Sequence, residues 1–247
     1  MVEIIPDQSK STIGEQLRKS LSKIIGEGIE LDKLPLLEKK GYRIHEKIIG
    51  RGGENKVYLL ENTQKKKSLV IKISVMSMFD NSDDAFYKAK RLREKFELIK
   101  KHWGEYFIPD ERMFISKINK RGRLAIITVQ EFFGDDIKDI FKEILNGTFQ
   151  KIVSKDQLLK KDFLLFVEKL LEWKDLGLFI DLYGSKNLII IRDKNNRSKI
   201  KFIDSHFLLS SDDFLSLNSE ANSLLYHSIL SRVGLLEKMY NKIRENN

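Results

Sequence analysis

Leu178-Phe179-Ile180-Asp181-Leu182-Tyr183-Gly184-Ser185-Lys186-Asn187-Leu188-Ile189-Ile190-Ile191 is the stretch on which the reading of this chain turns. An Asp and an Asn flank a tight turn built on Gly184-Ser185, and an apolar run follows. A charged segment from Arg192 to Ser198 then leads into Lys199-Ile200-Lys201-Phe202-Ile203-Asp204. Apolar runs bounded by turn residues predict two short strands joined by a hairpin. Such a pair brings Asp181, Asn187 and Asp204 to one edge. Hard cations such as Mg²⁺ take oxygen ligands and accept substrate phosphates for the remainder. The chemistry this edge predicts is therefore that of a divalent cation with phosphate.

The upstream half supplies a matching piece. Residues 42–60 contain two apolar runs around Gly50, Gly52 and Gly53, which predicts a hairpin with a glycine-rich tip. Glycines let backbone N–H groups approach phosphate oxygens with no Cβ in the way. A third run, Ser68-Leu69-Val70-Ile71-Lys72-Ile73-Ser74, sets one lysine among aliphatic residues. A lysine there is costly unless paired, so a Glu on the following helix is expected to meet it.

In this order the pieces resemble the protein-kinase-like superfamily, over roughly residues 42–230. Gly50, Gly52 and Val57 match its glycine loop, with Asn55 where the third glycine is usual. Lys72 matches the lysine of its third strand, Asp181 and Asn187 its catalytic-loop pair, and Asp204 its metal-binding Asp. The resemblance implies an α+β, two-lobed fold. A helical extension (1–41) would precede a five-stranded small lobe with one helix (42–132) and a reduced, mainly helical large lobe (133–247). It implies ATP and Mg²⁺ as ligands. Gly50, Gly52, Gly53 and Val57 would cover the nucleotide, and Lys72 would hold its phosphates. Backbone groups from Gln130 to Phe132 would read the adenine edge. The adenine would rest against Ile49, Val57 and Ile71 on one side and Leu188 and Ile203 on the other. Asn187 and Asp204 would hold the metal, and Asp181 would act as base or orienter for the attacking hydroxyl.

For the partner of Lys72 the resemblance favours Glu94, because apolar Leu98 follows it by one turn. Helical periodicity favours Glu97, closer to the edge of the apolar stripe. Glu94 is the reading adopted. The departures from the family pattern are concrete. The interval from Asp181 to Asn187 is one residue longer than usual, and Phe179 stands where many kinases carry His. Asp204-Ser205-His206 replaces Asp-Phe-Gly, and no Ala-Pro-Glu follows. The added loop residue is expected to bulge out at Tyr183-Gly184-Ser185, with Gly184 at positive φ.

Periodicity sets the remaining elements. Strands are expected near 42–50, 55–61, 68–75, 112–117 and 124–130. A long helix is expected over Asp83–His102, with Phe86, Ala89, Leu92, Phe96 and Ile99 on its buried stripe. Further helices are expected at Asp136–Leu145, Gln157–Leu176 and about Asp212–Arg244. An amphipathic helix over 11–26, opened by Ser11-Thr12, is expected either to pack on the first lobe or to carry a partner surface. Trp103 and Trp173, near helix ends, are read as core anchors.

Composition bounds the rest. Net charge is +9, from 45 basic and 36 acidic residues dispersed along the chain. That suits anionic partners such as nucleotides, or simply a solvated surface. Nucleic acid is not an expected partner, since interleaved aromatic and basic motifs are missing. There are no cysteines, which excludes disulfides, and the four histidines lack metal-ligand spacing. No apolar run approaches the roughly 18 residues of a membrane span, and the N-terminus has no secretory pattern, so a cytoplasmic protein is expected. The implied activity is transfer of the γ-phosphate of Mg-ATP to a hydroxyl of a protein Ser/Thr or of a small molecule. Two alternatives stand beside it: a pseudokinase scaffold that binds without turnover, and an enzyme of the same fold that transfers AMP.

Overall fold

The structure is a computed structural model. It describes residues 42–51, 55–62, 67–117, 123–134, 136–204, 208–210 and 220–245. The expected helix over 11–26, Gly52, Gly53 and His206 lie outside them. The class is α+β: antiparallel sheets and, among the described residues, five helices. These residues fall into two compact units. The first takes the chain up to Arg91 together with Asp110–Phe132, and the second takes Leu92–Pro109 and the chain from Phe133 onward.

The first unit is built on a five-stranded sheet. Its strands are β1 (Tyr42–Arg51), β2 (Asn55–Asn62), β3 (Lys67–Phe79), β4 (Glu111–Lys117) and β5 (Leu124–Glu131), in the order β1-β2-β3-β5-β4. β-branched and aromatic residues recur in these runs, as strands favour. Alternation puts Tyr58, Ile71 and Val129 in one cross-strand row, and Tyr58 and Ile71 are fully buried. β3 runs past its expected end to Phe79, with a break in its pairing to β5 between Ile73 and Met78.

Helix α1 (Ser82–Trp103) contributes residues to both units. Asn81 and Asp84 exchange hydrogen bonds of 2.8 and 2.7 Å at its start. Acidic residues open it and basic residues close it, complementing its dipole. The expected stripe is corrected at its first turn: Phe86 is 65 % exposed, and Ala85 is buried instead. At about 100° per residue, position 85 falls about 20° from Phe96 on the helical wheel, whereas 86 falls about 80° away.

The second unit contains β6 (Lys138–Asp139), α2 (Ile140–Leu145), α3 (Phe149–Ser154), α4 (Gln157–Asp175), β7 (Leu178–Ile180), β8 (Leu188–Arg192), β9 (Ser198–Phe202), β10 (Leu208–Ser210) and α5 (Glu220–Glu245). A sheet β6-β8-β9 and a pair β10-β7 frame the loop that follows β7. The helix expected from Asp136 begins only at Ile140. Lys138 and Asp139 pair with Ile190 and Ile189 instead, and the Asp139 carboxylate caps α2.

α4 buries Leu159, Phe163, Phe166, Val167, Leu170 and Trp173, a helical stripe. α5 buries Ile229, Val233, Leu236, Tyr240 and Ile243 into the same core. Each fully buried side chain of this size contributes about 1.5–3 kcal/mol. Trp103 and Trp173 meet edge to face with ring centroids 4.6 Å apart, so both anchor this core. Among the described residues no helix is long and apolar enough to cross a membrane.

Candidate functional site

The loop between β7 and β8 is organised by its own side chains. The Asp181 carboxylate accepts from the Tyr183 N–H at 2.8 Å and also from the Gly184 N–H. The Asn187 amide, buried, donates Nδ2–H to the Asp181 carbonyl at 2.9 Å. The Ile203 N–H donates to the Asn187 carbonyl at 2.9 Å, one rung beyond the Leu188–Phe202 pair of the β8–β9 ladder. That rung fixes where the chain carries Asp204. The three oxygen-bearing residues thus meet at the ends of β7, β8 and β9.

The added residue is absorbed differently from expectation. Gly184 does not have positive φ; the left-handed residue is Lys186, at φ 63°. Gly184 is needed for space instead. A Cβ there would stand 2.4 Å from Asn187 Oδ1 and 2.6 Å from Nδ2.

Charge marks the same place. Burial pushes the Asp181 carboxyl up to about 6, and the negative charge of Asp204 adds to the rise. The Tyr183 and Gly184 N–H groups and the Asn187 amide pull the other way without cancelling it. The Asp204 carboxylate and the Asn187 amide offer hard oxygens of the kind divalent cations take. Among the described residues no group of three or more His, Cys, Asp or Glu is gathered for a metal. A cation here would therefore complete its shell from Asn187, water and phosphate.

Two residues that the sequence reading passed over hold this loop. Asp139 accepts from the Phe141 and Lys142 N–H groups at 2.9 and 3.3 Å, and its second oxygen accepts the Lys186 N–H at 2.7 Å. Arg232, on α5, donates through Nη1 to the Leu182 carbonyl and, at 3.0 Å, to the Gly184 carbonyl. Its guanidinium lies 4.6 Å over the Phe141 ring. Asp139 had a signal, an Asp just before an apolar helical start. Arg232 had none, because its role depends on where a distant helix docks.

The first unit sets Gly50, Val57, Lys72 and Gln130 along one face of its sheet. Register runs Gly50–Val57–Lys72–Thr128–Met113 across all five strands. Directly opposed residues share a face. Lys72 is buried on it at 9 % exposure. Val70 and Gln130 stand one pair further along the same face. Ile71, expected on the same side as Val57, lies on the opposite face of the sheet, because strand alternation sets it apart from Val57 and Lys72. Gln130 is buried, with Oε1 lacking a hydrogen-bond partner among the described residues. The Phe132 N–H donates to the Ser68 carbonyl at 3.1 Å. Glu94 and Glu97 are both exposed on α1, in the part belonging to the second unit.

Compared with known families and with curated proteins, the sequence matches no family model and no curated relative.

Proposed function

We propose that this chain is an ATP-dependent phosphotransferase of protein-kinase-like, two-lobed fold, moving the γ-phosphate of Mg-ATP to a hydroxyl of a protein Ser/Thr or of a small molecule. The observation that carries the reading is the meeting of Asp181, Asn187 and Asp204 at the strand ends of one unit, with the Asp181 carboxyl raised by burial and then by the charge of Asp204. Perturbed carboxylates cluster at functional sites because chemistry needs them there.

Phosphoryl transfer asks little covalent chemistry of a protein; it asks for positioning and for neutralised charge. Asn187 and Asp204 would hold Mg²⁺, which supplies neutralisation of the phosphate oxygens. Lys72, with the glycines at 50, 52 and 53, would hold the nucleotide phosphates. Val57 and Val70 would face the adenine, with backbone groups near Gln130–Phe132 reading its edge. Asp181 would orient the acceptor hydroxyl and take its proton. Its raised affinity for a proton suits that task, since a general base works best with a pKa near the operating pH.

The test is incubation of the protein with Mg²⁺ and either γ-labelled or α-labelled ATP, in parallel. Transfer of γ-label to an added acceptor protein or to the chain itself is expected. Transfer of α-label replaces the reading with AMP transfer. Saturable ATP binding with neither label moved replaces it with a pseudokinase.

A further inference from the structure

We propose that Arg232 is a positioning residue: carried on α5, it holds the Asp181–Asn187 loop in the shape that transfer requires, so that turnover depends on the seating of the C-terminal helix. The inference rests on the reading above, that this loop presents the acceptor-facing carboxylate.

The geometry is specific. One guanidinium nitrogen donates to the carbonyls of Leu182 and Gly184, the residues on either side of Tyr183. Both carbonyls lie between Asp181 and Asn187. On the opposite side, Asp139 takes the N–H of Lys186 at 2.7 Å. A cation therefore holds the loop's carbonyls while an anion holds its amide. The two holders are joined through Phe141. Its ring carries the Arg232 guanidinium at 4.6 Å, and its N–H donates to the Asp139 carboxylate at 2.9 Å.

The loop needs such holding. Lys186 sits at φ 63°, a left-handed conformation that a residue with a side chain keeps only when its surroundings impose it. The carboxylate of Asp181 is aimed by hydrogen bonds to Tyr183 and Gly184, the segment whose carbonyls Arg232 holds. A small displacement there turns the carboxylate away from a reacting group, and such misplacement is costly to rate.

The helix itself does not depend on Arg232. Ile229, Val233, Leu236, Tyr240 and Ile243 bury α5 in the core. Among the described residues the hydrogen bonds of Arg232 go only to the loop. Removing the guanidinium should loosen the loop and leave the helix docked. Lysine keeps the charge on a flexible stem but lacks the planar fork, so it should restore part of the function.

The experiment compares the full chain with Arg232→Gln and Arg232→Lys by steady-state transfer from γ-labelled Mg-ATP, thermal melting, and hydrogen exchange of peptides covering 182–187, α4 and α5. For Arg232→Gln, kcat should fall at least about tenfold with KM for ATP within about threefold. Exchange in 182–187 should quicken about tenfold or more while α4 and α5 are unchanged. Arg232→Lys should fall between that variant and the parent. Unchanged kcat and unchanged loop exchange overturn the proposal, as does equal quickening throughout α4 and α5. Should Arg232→Gln fail to fold, Arg232→Lys decides: reduced kcat with faster loop exchange and normal melting sustains it, and parental values overturn it. If the parent chain transfers no label, the functional reading falls by itself. Loop exchange in the variants still decides the brace.

Discussion

The side-chain amide of Asn187 occupies the space that a Cβ on Gly184 would need, with Oδ1 2.4 Å and Nδ2 2.6 Å from that position. The loop can close only because residue 184 has no side chain. Gly184→Ala should push the amide off its bond to the Asp181 carbonyl. Overpacking of this kind costs about 1–3 kcal/mol. Transfer should fall at least tenfold, and the Mg²⁺ concentration for half-maximal activity should rise, because a proposed ligand has moved. Melting curves and a Mg²⁺ titration check both. Parental activity in Gly184→Ala would show that Asn187 need not stay where it is.

Gly234 is the contrasting case. It lies on the exposed side of α5, and an added Cβ would meet nothing within 4 Å. Glycine inside a helix is about 0.8–1 kcal/mol worse than alanine. Gly234→Ala should raise the melting temperature by a few degrees and leave transfer unchanged. A lowered melting temperature would mean that α5 is not a continuous helix at this point.

How much of this could be read from the sequence differs by element, for physical reasons. The hairpin from Leu188 to Phe202 was legible as apolar runs bounded by turn residues, and the helix from Gln157 because its apolar stripe is long and regular. The start of α2 was not: Ile140 continues an apolar pattern, and only the pairing of Lys138 and Asp139 with β8 shows that the strand comes first. The grouping of Ile71 with Val57 came from the resemblance and did not hold, because alternation about Lys72 puts the two on opposite faces. The turn at Lys186 defeated a rule that is sound on average. Glycine favours positive φ, but here close approach by Asn187 claimed the glycine and the left-handed step fell to a lysine. Arg232 could not be found at all, since no local pattern ties it to the loop.

The β8–β9 turn gives a pH test away from the site. Asp193 accepts from the Arg197 N–H at 3.0 Å and the Asn195 N–H at 2.8 Å, and pairs with Lys199 at 3.0 Å. The Arg197 hydrogen bond, then Lys199, hold its carboxyl down to about 2 from the usual 3.8. A depressed carboxyl contributes stability that is present above its unfolded pKa and lost as pH falls through its folded one. Asp193→Asn should therefore melt lower than the parent by a constant margin from pH 5 to 7. The margin should shrink between about pH 4 and 2. A margin independent of pH would show that the carboxylate charge contributes nothing there.

Asp204 should act on metal rather than on packing. It lies partly exposed just beyond β9, at the rung that joins Ile203 to Asn187. A ligand of the folded state raises its melting temperature by mass action. Millimolar Mg-ATP should raise the melting temperature of the parent, and Asp204→Ala should lose most of that shift while melting normally alone. An equal shift in both proteins would remove Asp204 from the metal site.

Asp181 carries the most decisive prediction, because turnover separates its two readings while melting tests its raised carboxyl. Its carboxyl is pushed up to about 6 by burial and by Asp204. The folded protein thus binds a proton there over a range in which the unfolded chain has released it. Where the native state binds more protons, stability falls as pH rises. The charge of Asp181 therefore costs the metal-free protein stability, a cost absent below about pH 4 and complete above about pH 6. After screening, a shift of this size is worth about 1–2 kcal/mol. Asp181→Asn removes the charge but keeps an oxygen for the Tyr183 N–H. Without metal it should melt above the parent at pH 7, with the difference vanishing near pH 4. Its ATP affinity should be preserved and its transfer lost, because an amide cannot take a proton from the acceptor hydroxyl. If Asp181 served only to cap the turn, the amide would do as well. Transfer would then survive, while the melting difference would still follow pH, because burial and Asp204 raise the carboxyl in either case. Measuring melting at pH 4 and pH 7, with ATP binding and transfer, on this one variant separates the two, and surviving transfer would end the catalytic assignment.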